Sequence, residues 1–221
     1  MFKNLSTKIK LLSFPILIAI AILGLGIVFT YYNKLVNARV SAATQTDIFV
    51  QQVLKGRISV YQFLRAPKLG KADQVRADFN LLIKKVKTLK PNLSQNSNQI
   101  LCDEIITLSN KYVQYFDDFA QLRVDDIQNG IEDESKEISG IISKMAKTGL
   151  VLEKKLSIIH KSAIDLKNDA QDTLKSTLFI IAIIVIVLFI FISFIISNII
   201  INSLKEFDNG LNQFFAYLNR E

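Results

Sequence analysis

From Asn33 to Lys175 the apolar positions advance by alternating threes and fours, which predicts helices that pack side by side. Val75, Phe79, Leu82, Val86 and Leu89 form one such seam. Leu101, Ile105, Leu108, Tyr112, Tyr115, Phe119 and Leu122 form a second. A third runs through Ile138, Ile142, Met145, Gly149, Leu152, Leu156, Ile159, Ala163, Leu166 and Ala170. The preceding stretch carries two apolar lines, one through Val36, Val40, Val50, Leu54, Tyr61 and Leu64 and the other through Phe49, Val53, Val60 and Phe63. A helix with two apolar lines serves two interfaces, one within the subunit and one toward a second copy. Pro67 with Gly70, Pro91, and Asn129-Gly130 separate the four helices, since proline denies a helical hydrogen bond and glycine relaxes the turn. Glu132, Asp133 and Glu134 place negative charge where a helix starting just after Gly130 favours it.

Two uncharged apolar runs bracket this region, Leu11–Tyr32 with 22 residues and Ser176–Leu204 with 29. A helix of about 20 apolar residues crosses a bilayer's hydrocarbon, so both runs are long enough to span. The first greatly exceeds the apolar core of a cleaved leader and reads as an uncleaved anchor. Pro15 near its start is tolerable in a membrane helix, and Gly24 and Gly26 are not spaced as a G-x-x-x-G pair. The expected organisation is a basic N-terminus (1–10), a first span (11–32), an outer helical domain (33–175), a second span (176–201) and a short stub (202–221).

At about 1.5 Å of rise per residue, the outer helices expected at 33–65, 72–89, 97–128 and 131–175 climb about 50 Å, descend 27, climb 48 and return 67. The path closes to within about 4 Å, and the second helix stops short of the membrane. The expected fold is therefore all-α: a staggered four-helix bundle between two transmembrane helices. Its lower part holds only the first and last helices, whose uncovered seams a symmetric homodimer would bury.

Charge sets the orientation. Lys3, Lys8 and Lys10 precede the first run with no acid among them, which keeps the N-terminus in the cytoplasm by the positive-inside tendency. The outer region carries 22 Lys and Arg against 17 Asp and Glu, but long loops translocate largely regardless of charge. The bundle is thus expected outside a cytoplasmic membrane and both termini inside. A net charge of +7 with acids interleaved does not read as a nucleic-acid surface.

Candidate chemistry is sparse. One histidine, one cysteine and no tryptophan leave no catalytic or metal constellation, and no cofactor is expected. Cys102 reads as a small buried hydrophobe, His160 as a solvated side chain, and Glu132, Asp133, Glu134 and Glu137 as a charged first helical turn. A binding role has more material. Arg57, Tyr61 and Arg65 recur every four residues on one helix face, with Arg76 nearby and Tyr112 and Tyr115 on the second seam. Guanidinium groups between aromatic walls are suited to a small organic anion. The competing reading is that the arginines reach solvent and the tyrosines fill the core.

Beyond the second run, Leu204, Phe207, Leu211, Phe214 and Leu218 again step by three and four. This pattern fits a parallel coiled coil between two copies, or an amphipathic helix on lipid. Here the chain resembles the front half of a methyl-accepting chemotaxis protein. It shares the short basic N-terminus, the first membrane helix, a helical sensor of this size, the second membrane helix and the junction SLKEFDNGLNQFFAYLNRE. No proline follows Pro91, unlike the usual opening of a HAMP relay, and the long signalling hairpin of such receptors is absent. The resemblance implies a homodimeric receptor that meets a small ligand or a periplasmic binding protein and relays a shift of its last helix across the inner membrane. Two other readings stand beside it: the same sensor serving a histidine kinase or cyclic-nucleotide enzyme, or a membrane scaffold without ligand.

Overall fold

The computed structural model describes residues 7–131 and 135–219, and among them every long element is helical. Helix α1 spans Thr7–Arg65, α2 Leu69–Leu89, α3 Asn96–Gln128 and α4 Lys136–Leu218, with a 3-10 turn at Lys90–Asn92 after α2. Two of the four, α1 and α4, contain stretches long and apolar enough to cross a membrane by length and composition, with mean hydropathy 2.2 and 3.6. The chain divides into two compact units.

The first unit holds the chain up to Lys34 and from Gln171 onward. Its large apolar side chains are exposed on both helices, among them Leu23, Ile27, Phe179, Ile190 and Phe194. Such a surface is out of place in water and ordinary in lipid. Within α1 the Thr30 hydroxyl donates to the Gly26 carbonyl at 2.8 Å, which satisfies it inside its own helix.

The second unit, Leu35–Ala170, has one hydrophobic core to which all four helices contribute. Cross-helix hydrogen bonds fix their directions. Gln52 reaches Asp78 while Lys71 reaches Gln62, Arg76 reaches Asp117 while Lys90 reaches Asp103, and Asn98 reaches Ser162 while Lys155 pairs with Glu104. Successive helices therefore run antiparallel. Val75, Phe79, Leu82, Val86 and Leu89, the expected α2 seam, are each at most 1% exposed. The α4 seam is buried at Ile138, Met145, Leu152, Leu156, Ile159, Ala163 and Ala170.

Three expectations shift. The α3 core line is Cys102, Ile105, Ser109, Tyr112, Phe116 and Phe119, so Leu101, Leu108 and Tyr115 turn to half-buried flanks. Cys102 is buried as expected, whereas Ser109 at the centre of this line was passed over because of its polarity. The last helix begins at Lys136, not just after Gly130, because Ser135 accepts the Ile138 N–H in its side-chain oxygen at 3.2 Å and caps it. Gly130 instead closes α3: with φ +73° it lets Ile131 N–H reach the Asp126 carbonyl at 2.8 Å and Gly130 N–H the Ile127 carbonyl. That is a Schellman ending, which glycine adopts without a Cβ clash. The acidic residues at positions 132–134 lie outside the described residues. Finally, α2 starts at Leu69 and takes Gly70 into its first turn.

Of the two lines on α1, one is core and the other mixed, with Val36 buried and Val50 packed against the core. Phe49, Val53, Val60 and Phe63 are buried, whereas Val40, Leu54, Tyr61 and Leu64 are exposed.

Candidate functional site

One layer of the core takes a residue from each helix. Phe79 of α2 and Tyr112 of α3 stack with centroids 4.6 Å apart and planes 25° from parallel. Gly56 of α1 lies against Phe79, where a Cβ would come within 2.8 Å of the ring, and Gly149 of α4 lies against Tyr112, where a Cβ would come within 3.3 Å. Two glycines thus flank an aromatic pair, and the absence of their side chains is what lets the four helices close around it. On one side Phe63, Phe116 and Phe119 continue the aromatic packing, with Phe63 meeting each of the others edge-on at 5.3 and 5.8 Å. On the other a cavity of about 310 Å³ opens between α1 and α4.

The floor of that cavity is apolar: Val53, Phe79, Tyr112, Phe119, Met145 and Leu152, all buried. Arg57 and Glu153 stand at its edge and pair with each other across the two helices. Hydrogen bonding to Tyr61 first, and then Glu153, holds the Arg57 guanidinium above its usual range against the opposing effect of burial. Burial pushes the Tyr112 phenol up to about 12. Arg57, Tyr61 and Tyr112, three of the six residues expected to form a binding site, thus meet at one cavity.

The other three do not. Arg76 donates to Asp117 and Asp73, each at 2.7 Å, and Asp117 is the chief cause that raises its pKa. Arg65 is exposed in the last turn of α1. Tyr115, off the core line, has the ammonium groups of Lys111 and Lys144 at 5.8 and 6.0 Å from its ring centre. Both arginines nearest the aromatic layer are therefore already matched by carboxylates, an arrangement unlike the open guanidinium pair that a small organic anion calls for.

A second polar cluster is structural. Asp78 is 2% exposed, and its carboxylate accepts from Ser59 at 2.7 Å and pairs with Lys55 at 3.2 Å, while Gln52 donates to the Asp78 carbonyl at 3.0 Å. Burial alone would raise this carboxyl, but hydrogen bonds from Ser59, Gln74 and Lys55 outweigh it and hold the pKa below the ordinary value. The cluster ties α1 to α2 one turn away from Gly56. His160 is half-buried rather than solvated: its Nδ1 lies 3.2 Å from the Thr46 hydroxyl, which itself donates to the Ala43 carbonyl. The Thr46 oxygen is then left to accept from an Nδ1–H.

Among the described residues no group of three or more His, Cys, Asp or Glu gathers as a metal site. Cys102 is buried, and burial pushes its thiol up to about 11. Glu153, Gly56 and Asp78 were missed from the sequence. Glu153 sits beside the α4 seam at the height of Arg57, and opposite charges flanking two seams are the signal that would have found it. No family model, curated protein or solved structure matches this chain.

Proposed function

We propose that this chain is the sensing and membrane portion of a homodimeric transmembrane receptor of the chemotaxis-transducer kind. In this reading Leu35–Ala170 is an extracytoplasmic four-helix bundle that meets a small molecule, and the two apolar stretches hold it in the inner membrane with both termini in the cytoplasm. The observation that carries the reading is the double membership of α4. It supplies Met145, Leu152 and Glu153 to the cavity, and the same helix contains the second apolar run and continues to Leu218. A molecule that binds one packing of α4 better than another shifts its population, and packed helices offer a few discrete arrangements for that shift to select.

Two exposed seams support the dimer. Val40 and Leu54 are exposed on α1 away from the cavity, while Leu204, Phe207, Phe214 and Leu218 line the end of α4. The test is disulfide cross-linking of single cysteines placed along 204–218 of a Cys102→Ser chain in native membranes. Strong cross-linking at positions 204, 207, 211, 214 and 218 with weak cross-linking at 208, 212 and 215 is expected of a parallel coiled coil. A flat profile would refute the paired stub. The receptor reading further requires the extents to change when a bound small molecule is present, and extents fixed across a compound library would reduce the chain to a scaffold.

A further inference from the structure

The cavity beside the Phe79–Tyr112 layer has a composition that selects among ligands. Its volume of about 310 Å³ lies at the lower end of small-molecule sites, and its lining is mostly apolar with a few convergent polar groups. An apolar cavity of about 150 Å³ holds a single benzene, so this one has room for a fused or substituted ring. The lining suits an aromatic guest: the mutually stacked Phe79 and Tyr112 rings and Phe119 border the space, and Met145 adds a polarizable sulfur.

Charge is already balanced at the edge. Arg57 and Glu153 neutralise each other, so an entering carboxylate would have to displace Glu153 from Arg57 and leave two carboxylates facing one guanidinium. An entering cation meets the mirror-image conflict. A neutral guest leaves the pair intact. One polar group stands on the wall, the hydroxyl of Tyr112, a side chain that is buried. A guest able to hydrogen-bond that hydroxyl gains over one of the same shape that cannot.

We infer that the cavity lined by Tyr112, Met145 and Gly149 is a binding site for a neutral aromatic molecule carrying one hydrogen-bonding group, with the Arg57–Glu153 pair excluding charged analogues of the same size. The inference names the ligand class for the receptor reading above and rests on it for its biological meaning. Binding itself is tested directly, with 5-fluoroindole as the probe and 4-fluorobenzoate as the anionic comparator, by fluorine NMR on the full chain in detergent and on empty micelles. Ala146 is exposed on the cavity lip, so Ala146→Phe blocks the mouth without entering the core.

Saturable 5-fluoroindole binding beyond the micelle background is expected, at least tenfold tighter than 4-fluorobenzoate. Ala146→Phe should abolish it and Tyr112→Phe weaken it several-fold, both with unchanged helical circular dichroism. Glu153→Gln should narrow the gap by improving 4-fluorobenzoate. No saturable component, unaltered affinity in Ala146→Phe, or tighter binding of the anion would each overturn the inference. The two readings fail separately. Absent binding with a periodic cross-linking profile removes only the ligand class, whereas binding with cross-linking extents that no compound alters keeps the site and removes the receptor.

Discussion

Replacing Gly56 with alanine tests the packing that shapes the cavity. The added Cβ would stand 2.8 Å from Phe79 Cε2 and 3.2 Å from Cδ2 and Cζ. Carbon atoms are comfortable at about 3.5–4.0 Å, so the ring has to retreat by roughly 0.7 Å. It has little room to do so, being 1% exposed and stacked on Tyr112, which itself faces Gly149. Overpacking of this kind costs about 1–3 kcal/mol, while alanine in place of glycine in a helix interior returns at most about 1 kcal/mol. With the ring this tightly held the upper part of that cost applies, so the net is a loss of up to about 2 kcal/mol, or a fall of up to about 8 °C in Tm for a domain of this size. Thermal circular dichroism of the full chain in mild detergent reads the shift. Gly140→Ala is the control, because nothing lies within 4 Å of the Cβ it would add and the same change there should be neutral or stabilising. In the double variant Gly56→Ala with Phe79→Leu the losses should combine to less than their sum, since the smaller side chain yields. If Gly56→Ala proves as harmless as Gly140→Ala, the account of the aromatic layer is wrong.

The Asp78 cluster gives a prediction with a pH signature. Asp78→Ala leaves the buried Ser59 hydroxyl without its acceptor and should cost about 2–3 kcal/mol by urea unfolding, with little contributed by Lys55, which is 61% exposed. Because the folded pKa of Asp78 lies below its ordinary value of 3.8, its stabilisation is present above that pH and is lost as the pH falls through the lower folded value. The wild-type chain should therefore lose more stability than Asp78→Asn on acidification below about pH 4, and parallel acid limbs would contradict this. Cys102 should resist iodoacetamide at pH 8 in the folded chain and react fully in denaturant, since it is buried and its thiol titrates near 11. Rapid labelling of the native protein would place Cys102 outside the core.

Much of the fold was legible because it follows from periodicity. The α2 seam is read residue for residue, the helix order and most boundaries follow from Pro67, Pro91 and Gly130, and the two apolar stretches stand out by length. What escaped depended on partners far away in sequence. The rotation of α3 puts Ser109 and Phe116 on the core line in place of Leu108 and Tyr115, a choice set by the facing helices rather than by hydrophobicity along α3 itself. Gly56 is unremarkable within its helix and becomes decisive only because Phe79 arrives opposite it. The candidate site was half visible for the same reason. Arg57, Tyr61 and Tyr112 could be grouped by face and seam, but the carboxylates that occupy Arg57 and Arg76 come from other helices. Those partners leave an ion pair, Arg57 with Glu153, at the edge of the cavity where the sequence alone showed only an arginine.

In the proposed receptor the two apolar stretches hold Leu35–Ala170 on one side of a membrane and both chain ends on the other. Single cysteines at Lys68, Asn129 and Asn212, each in a Cys102→Ser chain, are to be treated with a membrane-impermeant maleimide on intact spheroplasts and again after permeabilisation. Labelling at positions 68 and 129 in intact spheroplasts, with position 212 labelled only after permeabilisation, is the predicted result. Labelling at 212 with protection at 68 and 129 would contradict it, as would recovery of the chain in the soluble fraction.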